Sequence, residues 1–134
     1  MIRKDVFSVT AVKELNKITE KIIGAAFDVH NNLGPGFIER IYEKALLYEF
    51  INSGMHFESQ KQIKVKYKSV ELGLQQVDFL VENEVIVEVK AVAQLNDIHT
   101  AQILSYLKTM DKKLGLLLNF ATSSLGIKRV VNKY

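Results

Sequence analysis

Three charged residues stand where a strand would ordinarily bury none. Asp78, Glu88 and Lys90 fall in the pattern D-x9-E-x-K within VDFLVENEVIVEVKA, residues 77–91. Strand alternation puts positions 86, 88 and 90 on one face and Val85, Val87, Val89 and Ala91 on the other, so one side is core and the other carries a carboxylate and an ammonium. Taking charge out of water is costly unless the charge is paired or holds a metal. Glu82-Asn83-Glu84 reads as a turn, and antiparallel pairing across it carries Asp78 towards Glu88 and Lys90. Two close carboxylates repel each other and need a proton or a shared cation. Mg²⁺ or Mn²⁺ takes oxygen ligands of this kind, with a substrate phosphate completing the shell. Lys90 would then stand where an attacking water or a developing phosphate charge needs stabilising. On spacing alone, an ordinary partly exposed Glu–Lys pair is an equal reading.

Further polar residues fall into groups. Glu39 and Glu43 are four apart and share a helix face, which reads as a second acidic element or as a solvated face with Arg40 and Lys44 interleaved. His99, Gln102 and Tyr106, at i, i+3 and i+7, share a face of a later helix; the alternative is a polar rim with Tyr106 packed as core. His30 and His56 have no partner at metal-ligand spacing and read as structural. Lys61, Lys64, Lys66 and Lys68 line the outer face and edge of a strand, and Lys128, Arg129 and Lys133 cluster near the C-terminus. Such runs are solvated faces or phosphate contacts. No aromatic ladder is interleaved with them, so sequence-specific readout is not supported.

The elements that must position these groups are legible from periodicity. Leu15, Ile18, Ile22, Ala26, Val29 and Leu33 recur at helical spacing and predict a helix over about 12–32, ended by Gly34-Pro35-Gly36. A second helix is expected over about 37–52 with Phe37, Ile41, Ala45 and Leu46 inward and Gly54 capping it. From Phe57 the period changes to two, with Phe57, Ile63, Val65 and Tyr67 on one face. A turn at Lys68-Ser69 and another at Glu82-Asn83-Glu84 make a meander of three strands. A helix over about 97–110 follows, with Asp97 as its N-cap, then the apolar strand LGLLLNF and a basic tail, GIKRVVNKY. This order predicts one α/β (α+β) domain over 1–134 with a mixed central sheet flanked by helices, residues 1–11 forming a flexible N-terminus.

Bulk composition narrows the function classes. The chain of 134 residues has no cysteine, which excludes disulfides and thiolate metal sites. MIRKDVFSVTAVKELNK has no apolar core of signal-peptide length, and no run approaches the ~20 apolar residues of a membrane helix, so a cytoplasmic protein without a membrane partner is expected. The net charge of +3 leans towards a polyanionic partner without demanding one.

The pattern D78-x9-E88-x-K90 resembles the core of the PD-(D/E)XK nuclease superfamily. Taken whole, the chain resembles the GxxExxR family, small prokaryotic proteins of that superfamily. The matching blocks, in the family's order, are LGPGFIERIYEKAL (33–46), VDFLVENEVIVEVKAV (77–92), HTAQILSYLK (99–108) and LGLLLNFATSSLGIKRVV (114–131). The sequence departs from the pattern twice: the eponymous Arg falls at Tyr42, and Val77 stands where a Pro usually precedes the motif aspartate. The resemblance implies a restriction-endonuclease-like α-β-β-β-α-β core and phosphodiester hydrolysis, most simply of DNA, dependent on Mg²⁺ or Mn²⁺. It implies Asp78 and Glu88 as metal ligands, Glu39 as a third with Glu43 its substitute, and Lys90 as the catalytic lysine, with Gln102 beside it. Tyr106, and with it Lys64, Lys66, Lys128 and Arg129, would contact the nucleic acid. A homodimer, built through the edge of the Phe57–Tyr67 strand, would help so small a chain grip a duplex. The alternative is a catalytically weak or inactive nucleic-acid-binding or protein-interaction module that keeps the nuclease fold.

Overall fold

The computed structural model describes residues 9–133; the expected flexible N-terminus lies outside them up to residue 8, and Val9, Thr10 and Ala11 are already helical. Helix α1 spans Val9–Leu33 and α2 spans Glu39–Ser53. Strands β1 (Phe57–Tyr67), β2 (Val70–Val81) and β3 (Val85–Lys90) follow. Helix α3 (Asp97–Met110), β4 (Leu114–Asn119) and β5 (Gly126–Val131) complete the order. The five strands lie in the order β1-β2-β3-β4-β5, antiparallel throughout except for the parallel β3–β4 pair that α3 connects. The segment expected as a basic tail is β5: Lys128 and Arg129 obscure its alternation, and pairing with the wholly buried β4 supplies the ladder that residue types alone did not announce.

Each sheet face has its own core. Ile22, Ala26 and Val29 of α1 and Tyr42, Leu46 and Phe50 of α2 pack on Val85, Val87, Val89, Leu116 and Leu118. On the other face, Ile103, Tyr106 and Leu107 of α3 cover Ile86, Leu80, Leu117 and Val130. The close approach of α3 depends on Gly115, where a Cβ would come within 2.7 Å of Ile103 Cδ1. Among the described residues, no helix is long and apolar enough to cross a membrane.

Three local expectations are corrected. Phe37 and Ile41 are 49% and 40% exposed, because α2 turns instead on Tyr42, Leu46 and Phe50. Tyr42 stacks on Phe120 at 4.9 Å, and its hydroxyl donates to Gly34 O (2.5 Å) while accepting from Phe37 N–H (3.1 Å), which fixes the Gly34–Gly36 turn. Phe57 and Ile63 lie in opposite cores, since Gln60 adopts a left-handed φ of 51° and shifts the phase of β1 between them. The cap of α3 is Asn96: its side chain accepts from Ile98 N–H, and His99 Nδ1 accepts the Asn96 N–H in return. Both tight turns form as expected: Lys68 and Ser69, both at positive φ, make a two-residue loop between Tyr67 and Val70, and Glu82-Asn83-Glu84, with the first two at positive φ, makes a three-residue loop between Val81 and Val85.

Candidate active site

The site is built where the β2–β3 ladder fails. Phe79, Leu80 and Val81 pair with Val87, Ile86 and Val85 in regular register. One step further the backbones part, and two side chains take over the bonding. Asp78 N–H donates to Glu88 Oε2 (2.8 Å), and Val89 N–H donates to Asp78 Oδ2 (2.8 Å). Each carboxylate thus satisfies a backbone donor of the opposite strand and is fixed by it. Only one oxygen of each is used in this way. Asp78 Oδ1 accepts no hydrogen bond from the described residues, and Glu88 Oε1 has only the Lys90 ammonium, at 3.9 Å.

Lys90 emerges from the same face of β3. Its Nζ donates to Gln102 Oε1 of α3 (3.0 Å), and its side chain is only 14% exposed. One turn on, the Tyr106 hydroxyl donates to Gln75 Oε1 of β2 (3.3 Å), closing the wall between α3 and the hairpin. Of the helix face expected to serve the site, Gln102 and Tyr106 reach it; the ring of His99 is committed to the helix cap, although His99 lines the depression that also holds Lys90, Ala101 and Gln102.

The electrostatics follow from burial. Desolvation, reinforced by the Asp78 charge, pushes the Glu88 carboxyl up to about 8. Desolvation, reinforced by Glu43 and Glu39, pushes Asp78 up to about 6, against the lowering effect of the Val89 N–H and of Lys90. Burial, then the charges of Glu88 and Asp78, raise the Tyr106 phenol, so it remains a neutral donor. Without a cation the pair keeps a proton near neutral pH, with Lys90 as the ammonium beside it. The free oxygens form a hard donor set, and a divalent cation would relieve the repulsion between them, so the residues fit such an ion.

The helical acids stand at the edge of this arrangement. Glu39 is exposed, while Glu43 is partly buried, accepts a hydrogen bond from Gln60 Nε2, and is raised chiefly by burial. Both line a groove with Ser59, Gln60 and Phe79. Glu43 acts on Asp78 more strongly than Glu39 does, whereas Glu39 acts on Glu88 as well. Among the described residues, no three His, Cys, Asp or Glu side chains converge tightly enough to cage an ion. Water or substrate oxygens would have to fill the remaining positions.

The expected phosphate contacts do not all gather here. Lys128 shares a sheet row with Leu117 and Glu88, two strands away on the α3 face, about 10 Å by strand spacing. Arg129 points to the opposite face, where it donates to Thr19 Oγ1 (3.2 Å) and Asn16 Oδ1 (3.1 Å) of α1. Lys64 and Lys66 lie on the outer part of β1, beyond the sheet. His30 is structural: its Nε2 contacts Thr122 O at 2.9 Å. Sequence reasoning missed Gln60 and Gln75. The signal available for them was their position on strands flanking Asp78, which a polar Gln does not distinguish from an exposed strand face.

The fold and the superfamily are shared with known proteins. The crystal structure of SSO0001 is similar in fold, with a TM-score of 0.56 at 14% identity, over 92% of this chain and 61% of that one; the chain therefore spans about three-fifths of that protein's length. No curated protein matches the chain. The profile of the PD-(D/E)XK nuclease superfamily matches residues 16–130, and the chain belongs to that superfamily.

Proposed function

We propose that the protein is a divalent-metal-dependent nuclease that hydrolyses phosphodiester bonds in DNA, and that within its superfamily it stands with the GxxExxR proteins. The observation that carries the reading is the break in the β2–β3 ladder, where Asp78 and Glu88 each spend one oxygen on a backbone N–H and leave the other free beside Lys90. Mg²⁺ or Mn²⁺, when bound, supplies a Lewis acid and lowers the pKa of its water. Asp78 and Glu88 would hold that ion, with Glu39 or Glu43 reaching it through water.

The chain's own contribution is positioning and charge. The two backbone N–H bonds fix both carboxylates before substrate arrives, so little reorganisation is needed. Gln102 of α3 accepts from the Lys90 ammonium and holds it at the site, so that it would offset the negative charge gathering on the phosphodiester oxygens during hydrolysis. The Tyr106–Gln75 hydrogen bond ties α3 to β2 beside the site.

The test is cleavage of labelled plasmid, linear, branched and single-stranded DNA with Mg²⁺, Mn²⁺ or EDTA, with Asp78→Asn and Lys90→Ala purified identically. The expected result is metal-dependent product that falls by about a thousandfold in Asp78→Asn, the equivalent of several kcal/mol of lost transition-state stabilisation. Product at the level of the variants under every metal would overturn the proposal.

A further inference from the structure

The outer half of the β1–β2 hairpin leaves the sheet. Strand β3 pairs with β2 only at Phe79–Val81, so residues 61–77 pair with each other alone, as a two-stranded ribbon. The ribbon starts beside Asp78 and ends at the Lys68-Ser69 turn, about 20 Å away at strand rise. It concentrates the protein's charge. Residues 61–77 hold Lys61, Lys64, Lys66 and Lys68 against Glu71 alone, a net of +3, equal to that of the whole chain of 134 residues, so the rest of the sequence is formally neutral.

These charges are weakly spent. Lys61 is paired with Glu58 at 2.9 Å, but Lys64 has only Glu71 at 4.0 Å, exposed on both sides. Lys68 lies over the Tyr67 ring at 5.4 Å and, like Lys66, has no acid partner among the described residues. Between the lysines the ribbon exposes large apolar side chains: Tyr67, Val70, Leu72 and Leu74 are all more than half in solvent. Leu72 is the extra residue of a bulge opposite Val65/Lys66, which adds to the right-handed twist of the ribbon.

We infer that this ribbon is the duplex-binding arm of the protein and that it seats in the major groove of B-form DNA, with the Asp78–Glu88 site at its base. The inference rests on the nuclease reading for the site but not for the arm, whose binding needs no turnover. The major groove of B-DNA, about 12 Å wide, admits a two-stranded ribbon, while that of A-form RNA is too narrow for side chains to enter. Single strands are bound on stacked aromatic platforms, and the ribbon has one aromatic, Tyr67. Unpaired lysines along its length would meet the phosphates at the groove walls, and Val and Leu side chains would meet thymine methyls on the floor.

The test is binding in EDTA of the full chain to a fluorescent DNA duplex, to an RNA duplex and to single-stranded DNA of the same sequence, over a salt series. A triple variant, Lys64→Gln with Lys66→Gln and Lys68→Gln, is compared with a double variant, Leu72→Ser with Leu74→Ser; all five positions are exposed, and circular dichroism confirms that the variants are folded. The expected result is preference for the DNA duplex. In the triple variant the affinity should fall at least about tenfold, and the slope of log K against log salt should shrink by up to about 2.7. The double variant should lose affinity with its slope unchanged. Equal binding of all three nucleic acids, an unchanged slope in the triple variant, or no duplex binding at all would overturn the inference. So would a dimer in gel filtration that the double variant splits while duplex binding persists, which would assign the arm to a second copy. Arm-dependent binding without metal-dependent cleavage would sink the nuclease reading alone; cleavage and binding indifferent to the arm would sink this inference alone.

Discussion

Strand β2 passes through two environments, and the contrast between its halves explains the molecule. Its inner end, where Phe79–Val81 lie between β1 and β3, is buried: Val77, Phe79, Leu80 and Val81 are no more than 1% exposed. From Val70 to Gln76 it has one neighbour, and every residue is exposed. Asp78 sits at the transition. It is close enough to the core to be desolvated, and far enough along that β3 no longer supplies a backbone partner. The lesson is that the acids owe their properties to the place where the ladder ends, since the same residue types four to eight positions away, such as Glu71, are simply solvated.

The largest effect should come from setting like against like in the two halves. Leu80→Ala removes a fully buried side chain and should cost about 2–5 kcal/mol of stability, whereas Leu74→Ala, half in solvent, should stay within about 0.5 kcal/mol; urea denaturation of both variants measures the gap. If the two costs come out equal, the outer ribbon is packed against something and the contrast fails.

An intermediate effect concerns the acids at the transition. Both carboxyls titrate higher in the folded protein than in the unfolded chain, so the folded state binds protons more tightly between the two values. Their contribution to stability is therefore complete below about pH 4 and is lost as the pH rises through about 6 to 8, in the metal-free protein. Melting in EDTA should fall by about 5 °C or more between pH 5 and pH 8.5, and Glu88→Gln, which cannot ionise there, should flatten the profile and melt higher at the alkaline end. A wild-type profile no steeper than the variant's would refute the desolvated pair. The smallest effect is expected far from the transition: Tyr42→Phe keeps the stack on Phe120 but leaves Gly34 O and Phe37 N–H without their partner, a loss of about 1 kcal/mol by denaturation.

Much of this was readable beforehand, where local rules and tertiary outcome coincide. Alternation around Glu88 and Lys90, together with the Glu82-Asn83 turn, was enough to bring Asp78 to its partners. Other features were decided by contacts that no local pattern encodes. Helix α2 carries apolar residues on both sides, Tyr42, Leu46 and Phe50 against Ile41, Tyr48 and Ile51, and the stack of Tyr42 on Phe120 selects between them. Strand β5 looked like a basic tail because Lys128 and Arg129 interrupt its alternation, and its identity comes from pairing with β4. The phase change at Gln60 depends on a backbone conformation that glutamine does not advertise. Between Glu39 and Glu43 spacing could not choose; in the fold the charges of both raise Asp78, and that of Glu39 also raises Glu88.

The crossed bonds between Asp78, Glu88 and the facing backbones also constrain how this protein could change by descent. Alanine at either place would strand a buried amide hydrogen, so drift away from activity would be steered through the isosteric amides, whose oxygens can still accept the same hydrogens. A descendant that had abandoned catalysis would thus be expected to carry Asn or Gln at these positions, with its sheet intact.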